Sequence, residues 1–203
     1  MTLNDVDIEI LNTLGNFECE GYIDADDVST LNLPNLQQAW TIYARKATTV
    51  NLPNLQQSGD INAYNATTVN LPKLQKAGNI YASNATTVNL PKLQKAGEIS
   101  APDATTLNLQ NLQKAGDISA SKATTVNLPN LQEVGYITAF TATTVTLPNL
   151  QQSGGIYANN AKKIIISSNL INRLKYVPKD CEIIHPDLEA TPKLESFKTF
   201  FYK

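Results

Sequence analysis

The chain has 203 residues, within the range of one domain, with 42% hydrophobic and only 17% charged residues. Its net charge of −2 gives no global attraction to nucleic acid or anionic membrane, and it lacks the run of about 18 apolar residues that would span a bilayer. A single histidine, His185, argues against His-rich metal sites and a catalytic triad. No glycine-rich phosphate loop, paired histidine ligands or nucleophile elbow occurs. The expectation is therefore no cofactor, no metal, no catalytic residue and no enzyme.

Residues 1–20 are read as an N-terminal cap. Met1 to Leu14 carries acids but no Lys or Arg. It has neither a basic region nor a continuous apolar run, so it does not read as a secretory signal, and a cytoplasmic chain is expected. Leu3, Val6, Ile10, Leu11 and Leu14 fall at helical spacing behind Asn4-Asp5, which predicts a short capping helix; Val6-Ile8-Ile10 reads equally well as a strand.

From residue 21 to residue 169 the chain is read as a solenoid. A 19-residue unit repeats without insertion or deletion from about residue 28 to residue 166. Ala-Thr-Thr-Val/Leu recurs at residues 47, 66, 85, 104, 123 and 142, with Val28-Ser29-Thr30-Leu31 before the series and Ala161-Lys162-Lys163-Ile164 after it, in phase. Gly21-Tyr22-Ile23-Asp24-Ala25 begins the phase as a partial first coil. A fixed period near 20 residues marks stacked coils that each bury an apolar face only against their neighbours.

Within the unit Ala47–Asn65, three short strands are predicted. Val50 and Leu52 point inward from the first. Leu55 and Ser58 (Ala in other coils) point inward after the Pro53 corner, and Ile61 and Ala63 after Gly59. The β-branched Thr-Thr-Val block and the recurrent Pro oppose a helix. Three strands per coil stack into three parallel sheets, giving an all-β, three-sided parallel β-helix of seven to eight coils. Ile164-Ile165-Ile166 reads as the last strand. Residues 170–203 leave the pattern and are read as a C-terminal cap, with Phe197, Phe200 and Phe201 as an apolar stripe after Pro192. Cys19 and Cys181 then lie at opposite ends, roughly 30 Å apart at about 4.8 Å per coil, beyond disulfide reach.

The unit Leu-Pro-Asn-Leu-Gln-x-x-Gly-x-Ile-x-Ala-x-x-Ala-Thr-Thr-Val-x-Leu, carried by Leu52-Pro53-Asn54-Leu55, Gly59, Ile61, Ala63, Val69, Leu71 and their copies, resembles the leucine-rich β-helix repeat of receptor L domains and their bacterial relatives. The resemblance covers residues 21 to 166. It implies a right-handed parallel β-helix and a ligand-binding rather than catalytic role. The receptor members are extracellular and disulfide-bonded, marks this chain lacks, so a growth-factor-like ligand is not implied.

Comparing the repeats with one another locates the candidate surface. The Thr49/Asn51 positions and their copies barely change, whereas the Gly-x-Ile-x-Ala face varies. It carries Tyr22, Tyr43, Tyr64, Tyr81, Tyr136 and Tyr157, six of the eight tyrosines, together with Phe140 and with Trp40 beside them. Tyr and Trp dominate binding hot spots, which predicts a protein partner, immunity-like or ligand-recognising, on this face; β-propensity alone also favours aromatics there. Lys73, Lys76, Lys92, Lys95 and Lys114 form a basic patch on a second side, which reads also as a solvated lysine surface. The Thr/Asn face resembles the ice-binding faces of β-solenoid antifreeze proteins, or else forms hydrogen-bonded ladders between coils. Asp60, Glu98 and Asp117 share a face, which leaves a carbohydrate-binding or sugar-cleaving β-helix as the last alternative. No nucleic-acid or membrane partner is expected.

Overall fold

The computed structural model describes residues 2–188; the expected stripe of Phe197, Phe200 and Phe201 lies outside them. At the N-terminus the cap decides between helix and strand. Asn4 Oδ1 accepts the N–H groups of Val6 (2.9 Å) and Asp7 (3.1 Å), and the Asp7 carboxylate accepts the Asn4 N–H (2.9 Å). This reciprocal box satisfies donors that start a helix, and Asp5 and Asp7 sit at the positive end of its dipole. Helix α1 (Asp5–Asn12) follows. It is fastened across the first coil: Leu3 N–H reaches the Asp24 carbonyl (2.7 Å) and Asn12 Nδ2 the Asn32 carbonyl (3.1 Å). Only residues over the coil interior then pack. Leu3 and Ile8 are buried and Leu11 partly so, while Val6, Ile10 and Leu14 of the expected stripe are exposed.

The described residues continue into a parallel β-solenoid of about nine coils, more than the seven to eight expected. Both ends account for the difference. Strand β1 (Phe17–Asp24) pairs with β3 (Leu36–Tyr43) as a first coil, with β2 (Thr30–Asn32) between them in the chain. Ile164–Ile166 is not the last strand: Leu174–Lys175 pairs with the strand through Ile156, and Glu182–Ile184 with the strand through Ile164. Leu174 and Ile183 keep the apolar rung that stacking needs after the Ala-Thr-Thr-Val block is gone.

The core is a set of ladders. Val50, Leu52, Leu55, Ile61 and Ala63 are fully buried, as are their copies in most coils. So is Ala47, whose equivalent in the preceding coil, Val28, is buried as well. In-register partners Ile42, Ile61, Ile80, Ile99, Ile118, Ile137 and Ile156 form the longest sheet.

The other two sides depart from the expected three full sheets. The middle coils of the lysine side are joined by single bridges, Gln57↔Lys76, Lys76↔Lys95, Lys95↔Lys114 and Lys114↔Glu133, while strand ladders cover the same side at either end, as in Ala39↔Ser58 and Val134↔Ser153. The Thr/Asn side is two sheets, one of five strands from Thr30–Asn32 to Thr106–Asn108 and one of four from Thr125–Asn127 onward. The gap falls where the unit changes: Leu107 replaces Val and Gln110 replaces Pro. Leu107 is only partly buried, and Asn108 Oδ1 is buried without a hydrogen-bond partner.

Candidate functional site

The isoleucine sheet presents three outward columns, one before each Ile, one after it, and one beyond the following Ala. Tyr22 and Tyr136 occupy the first, Tyr43, Tyr81 and Tyr157 the second, and Tyr64 and Phe140 the third. Stacking of coils brings most of these rings together in pairs. Tyr22 and Tyr43 meet edge to face at 6.4 Å between centroids. Tyr64 and Tyr81 are stacked at 5.9 Å with planes 4° apart. Tyr136 and Tyr157 are 6.3 Å apart. Trp40 and Phe140 are exposed and make no ring contact among the described residues.

Two aromatic groups result, one over the early coils and one over the late coils. Between them the coils carry Glu98, Ser100, Asp117 and Ser119. The early group is braced by Arg45, whose guanidinium lies 5.6 Å from the Tyr43 ring centroid and donates to Asp26 through Nε (2.6 Å) and Nη2. That guanidinium holds the Asp26 carboxyl below its ordinary range.

One residue of this surface is absent from the expected set. Tyr176 stacks on Tyr157 at 6.1 Å, making a run of three rings with Tyr136, and it is 75% exposed. Its φ of 55° is the left-handed conformation that a bulky residue seldom adopts, at a cost of about 1–3 kcal/mol. The residue opposite Tyr157 in the sheet is Lys175, 18 rather than 19 residues on, and Tyr176 follows it.

Two of the three acids are engaged by the neighbouring coil. Asp60 Oδ1 accepts the Asn79 N–H (2.8 Å) and Asp117 Oδ1 the Tyr136 N–H (2.9 Å). Asn79 does the same for Glu98 N–H (2.8 Å). These side chains tie each coil to the next. No group of three or more His, Cys, Asp or Glu among the described residues is placed to hold a metal ion.

The lysines do gather. Lys76, Lys95 and Lys114 stand in register on consecutive coils, beside Lys73 and Lys92. Lys114 pairs with Glu133, and Lys73 Nζ donates to Asn54 Oδ1 (2.6 Å). In the column of Lys73 and Lys92 other coils carry Asn, whose amide bonds the preceding coil, as in Asn54 Nδ2 to the Pro34 carbonyl (2.6 Å) and Asn111 Nδ2 to the Pro91 carbonyl (2.7 Å).

On the Thr/Asn face the asparagines form a ladder. Asn51 donates to Asn32 (2.8 Å), Asn70 to Asn51 (2.7 Å), Asn89 to Asn70 (2.7 Å) and Asn108 to Asn89 (2.9 Å). The hydroxyls of Thr49, Thr68, Thr87 and Thr106 make no such bond among the described residues. The two rows bound a shallow groove of about 540 Å³.

Cys19 and Cys181 are free and half-buried. No helix among the described residues is long and apolar enough to cross a membrane. No family model, no curated protein and no solved structure matches the chain.

Proposed function

We propose that this chain is a non-catalytic protein-binding solenoid that engages a partner protein through the tyrosine-bearing face, in an immunity-like inhibitory or ligand-recognising role. The observation that carries the reading is the pairing of the tyrosines across coils. Rings held against one another lose little further entropy on docking, which is what makes Tyr an efficient anchor. The orientation bears on the class of partner. In the stacked pair Tyr64–Tyr81 one face of each ring is turned to its neighbour, which fixes both rings in place. Large aromatic rings held in this way, with polar hydroxyls at their tips, suit the core of a protein interface. The likeness of the repeat to receptor L domains supports the same direction.

The test compares wild type with Tyr43/Tyr64/Tyr81→Ala in a pull-down from the native source, followed by affinity measurement on the captured protein. We expect the triple variant to lose at least about 2 kcal/mol, roughly thirtyfold in Kd, while circular dichroism is unchanged. Equal recovery by both proteins removes the tyrosine face from consideration.

The regular Thr/Asn face favours a competing reading, ice binding, because a lattice rewards identical spacing. Its asparagine amides are already engaged with each other, which weighs against that use. We expect no thermal hysteresis at micromolar protein. Hysteresis that disappears in Thr87→Tyr/Thr106→Tyr would move the function to that face.

A further inference from the structure

The repeat is broken in several ways at one place, the corner between the first two coils. Two residues before the Ile of each Ile-x-Ala the later coils carry Gly59, Gly78, Gly97, Gly116 and Gly135; the second coil carries Trp40. The first coil makes room for it. Strand β1 pairs Cys19↔Ala39 and then Tyr22↔Thr41, so Glu20 and Gly21 together oppose Trp40 in a β-bulge. A Cβ placed on Gly21 would meet nothing within 4 Å, whereas one on Gly59 would stand 1.9 Å from the Trp40 carbonyl oxygen. The displaced backbone leaves a groove of about 340 Å³ lined by Glu18, Glu20, Gln38, Trp40 and Ser58.

The lining is chemically pointed. Glu18 and Glu20 are two residues apart on one strand, so their carboxylates project on the same side, and both are exposed. Glu18 takes one amide proton from Gln38 (2.8 Å) on Oε1. The Trp40 indole is 70% exposed beside them. The Ser58 hydroxyl is buried with no hydrogen-bond partner, where the next coils have Ala77 and Ala96. The wider field agrees: Asp5, Asp7, Glu9 and Asp24 belong to the same end of the solenoid, where Arg45 and Lys46 are paired with Asp26 and Asp27.

We propose that this groove receives an arginine side chain from a basic surface segment of the partner protein. A guanidinium is planar, stacks on an indole face and donates in a fork that suits a carboxylate. Lysine offers a point charge without the stacking plane. An anion is repelled by the two glutamates. The acidic end of the solenoid raises the local concentration of a cationic segment before contact. The inference rests on the tyrosine face as a docking surface only for which protein supplies the arginine; groove occupancy is measured separately.

Trp40 is the only tryptophan, so indole fluorescence reports this groove alone. The probe is a blocked tri-arginine peptide, with blocked tri-lysine and tri-glutamate for comparison, at low ionic strength. We expect a saturable change with tri-arginine, half-complete at about 0.1–1 mM, an affinity of roughly −4 to −5.5 kcal/mol, and weakening as salt is added. Tri-lysine binds more weakly and tri-glutamate gives no response. Glu18→Gln/Glu20→Gln, which keeps Trp40 and side-chain shape, lowers the affinity about tenfold or more, while Lys95→Gln leaves it unchanged. No saturable change with tri-arginine, an equal response to tri-lysine or tri-glutamate, or full affinity in the Gln double variant overturns the proposal. Tyr43/Tyr64/Tyr81→Ala should keep the tri-arginine response, so loss of the groove and loss of the tyrosine surface are told apart.

Discussion

Leu93→Ala is expected to lower the unfolding free energy by about 2–5 kcal/mol. Leu93 is fully buried at the centre of a ladder whose neighbours Leu74 and Leu112 are fully buried too. The residue after it is bonded on both sides, Gln94 N–H to the Gln75 carbonyl (2.9 Å) and Gln113 N–H to the Gln94 carbonyl (2.9 Å). Coils held above and below in this way cannot close on the space a truncated side chain leaves, so the cavity persists and the cost falls toward the upper part of the range. The measurement is urea unfolding followed by far-ultraviolet circular dichroism. Leu14→Ala, at a residue 48% exposed, is the reference and should shift the midpoint little. An unchanged midpoint for Leu93→Ala would place its side chain outside the core.

The second large effect is expected at Gly59. No glycine among the described residues has positive φ, so backbone freedom is not what requires glycine here. Room is. A Cβ would stand 1.9 Å from the Trp40 carbonyl oxygen and 3.1 Å from its carbon. These are backbone atoms of a strand whose Ile42 N–H is bonded to the Asp60 carbonyl (2.9 Å), so no side chain can swing aside. Gly59→Ala should cost about 1–3 kcal/mol, the range for overpacking. Gly21→Ala is the internal comparison: its Cβ meets nothing, so it should be neutral or stabilising by about 0.4–1 kcal/mol through the unfolded chain. Equal effects of the two substitutions on the thermal midpoint would refute the steric account.

Most of the solenoid is legible in one unit of sequence. The alternation Val50-x-Leu52, the spaced Leu55 and the pair Ile61-x-Ala63 name the buried rungs, because a stacked coil has only one interior and period two points residues into it. What the unit hides arises between coils. On the lysine side the middle coils are bridged at one residue each, from Gln57↔Lys76 to Lys114↔Glu133, a matter of backbone geometry rather than residue pattern. Asp60 and Asp117 show in the sequence only as acids on a shared face, whereas their bonds to the N–H groups of Asn79 and Tyr136 on the following coil do not. At the N-terminus the packed face of α1 is set by where the helix crosses the coil, so Ile8 wins over Val6. Tyr176 is concealed by the loss of Ala-Thr-Thr-Val after Ile166 and by a register that shortens to 18 and sets Lys175 opposite Tyr157. The groove needs a bulge in a partner strand, visible from sequence only as a tryptophan in a glycine column.

The gap between Thr106–Asn108 and Thr125–Asn127 has a mechanical consequence. There the Thr/Asn side is unpaired, while Ile99 still pairs with Ile118 and Gln132 N–H still reaches the Gln113 carbonyl (2.8 Å). An array coupled only through nearest neighbours yields first at its weakest junction. A junction tied on two sides and open on the third is expected to bend about the tied sides before it parts. The gap thus leaves five rungs of Thr/Asn ladder on one side of it and four rungs of its successor on the other, and the early and late tyrosine groups lie on different sides of it. Bending there would change the curvature of the proposed docking surface.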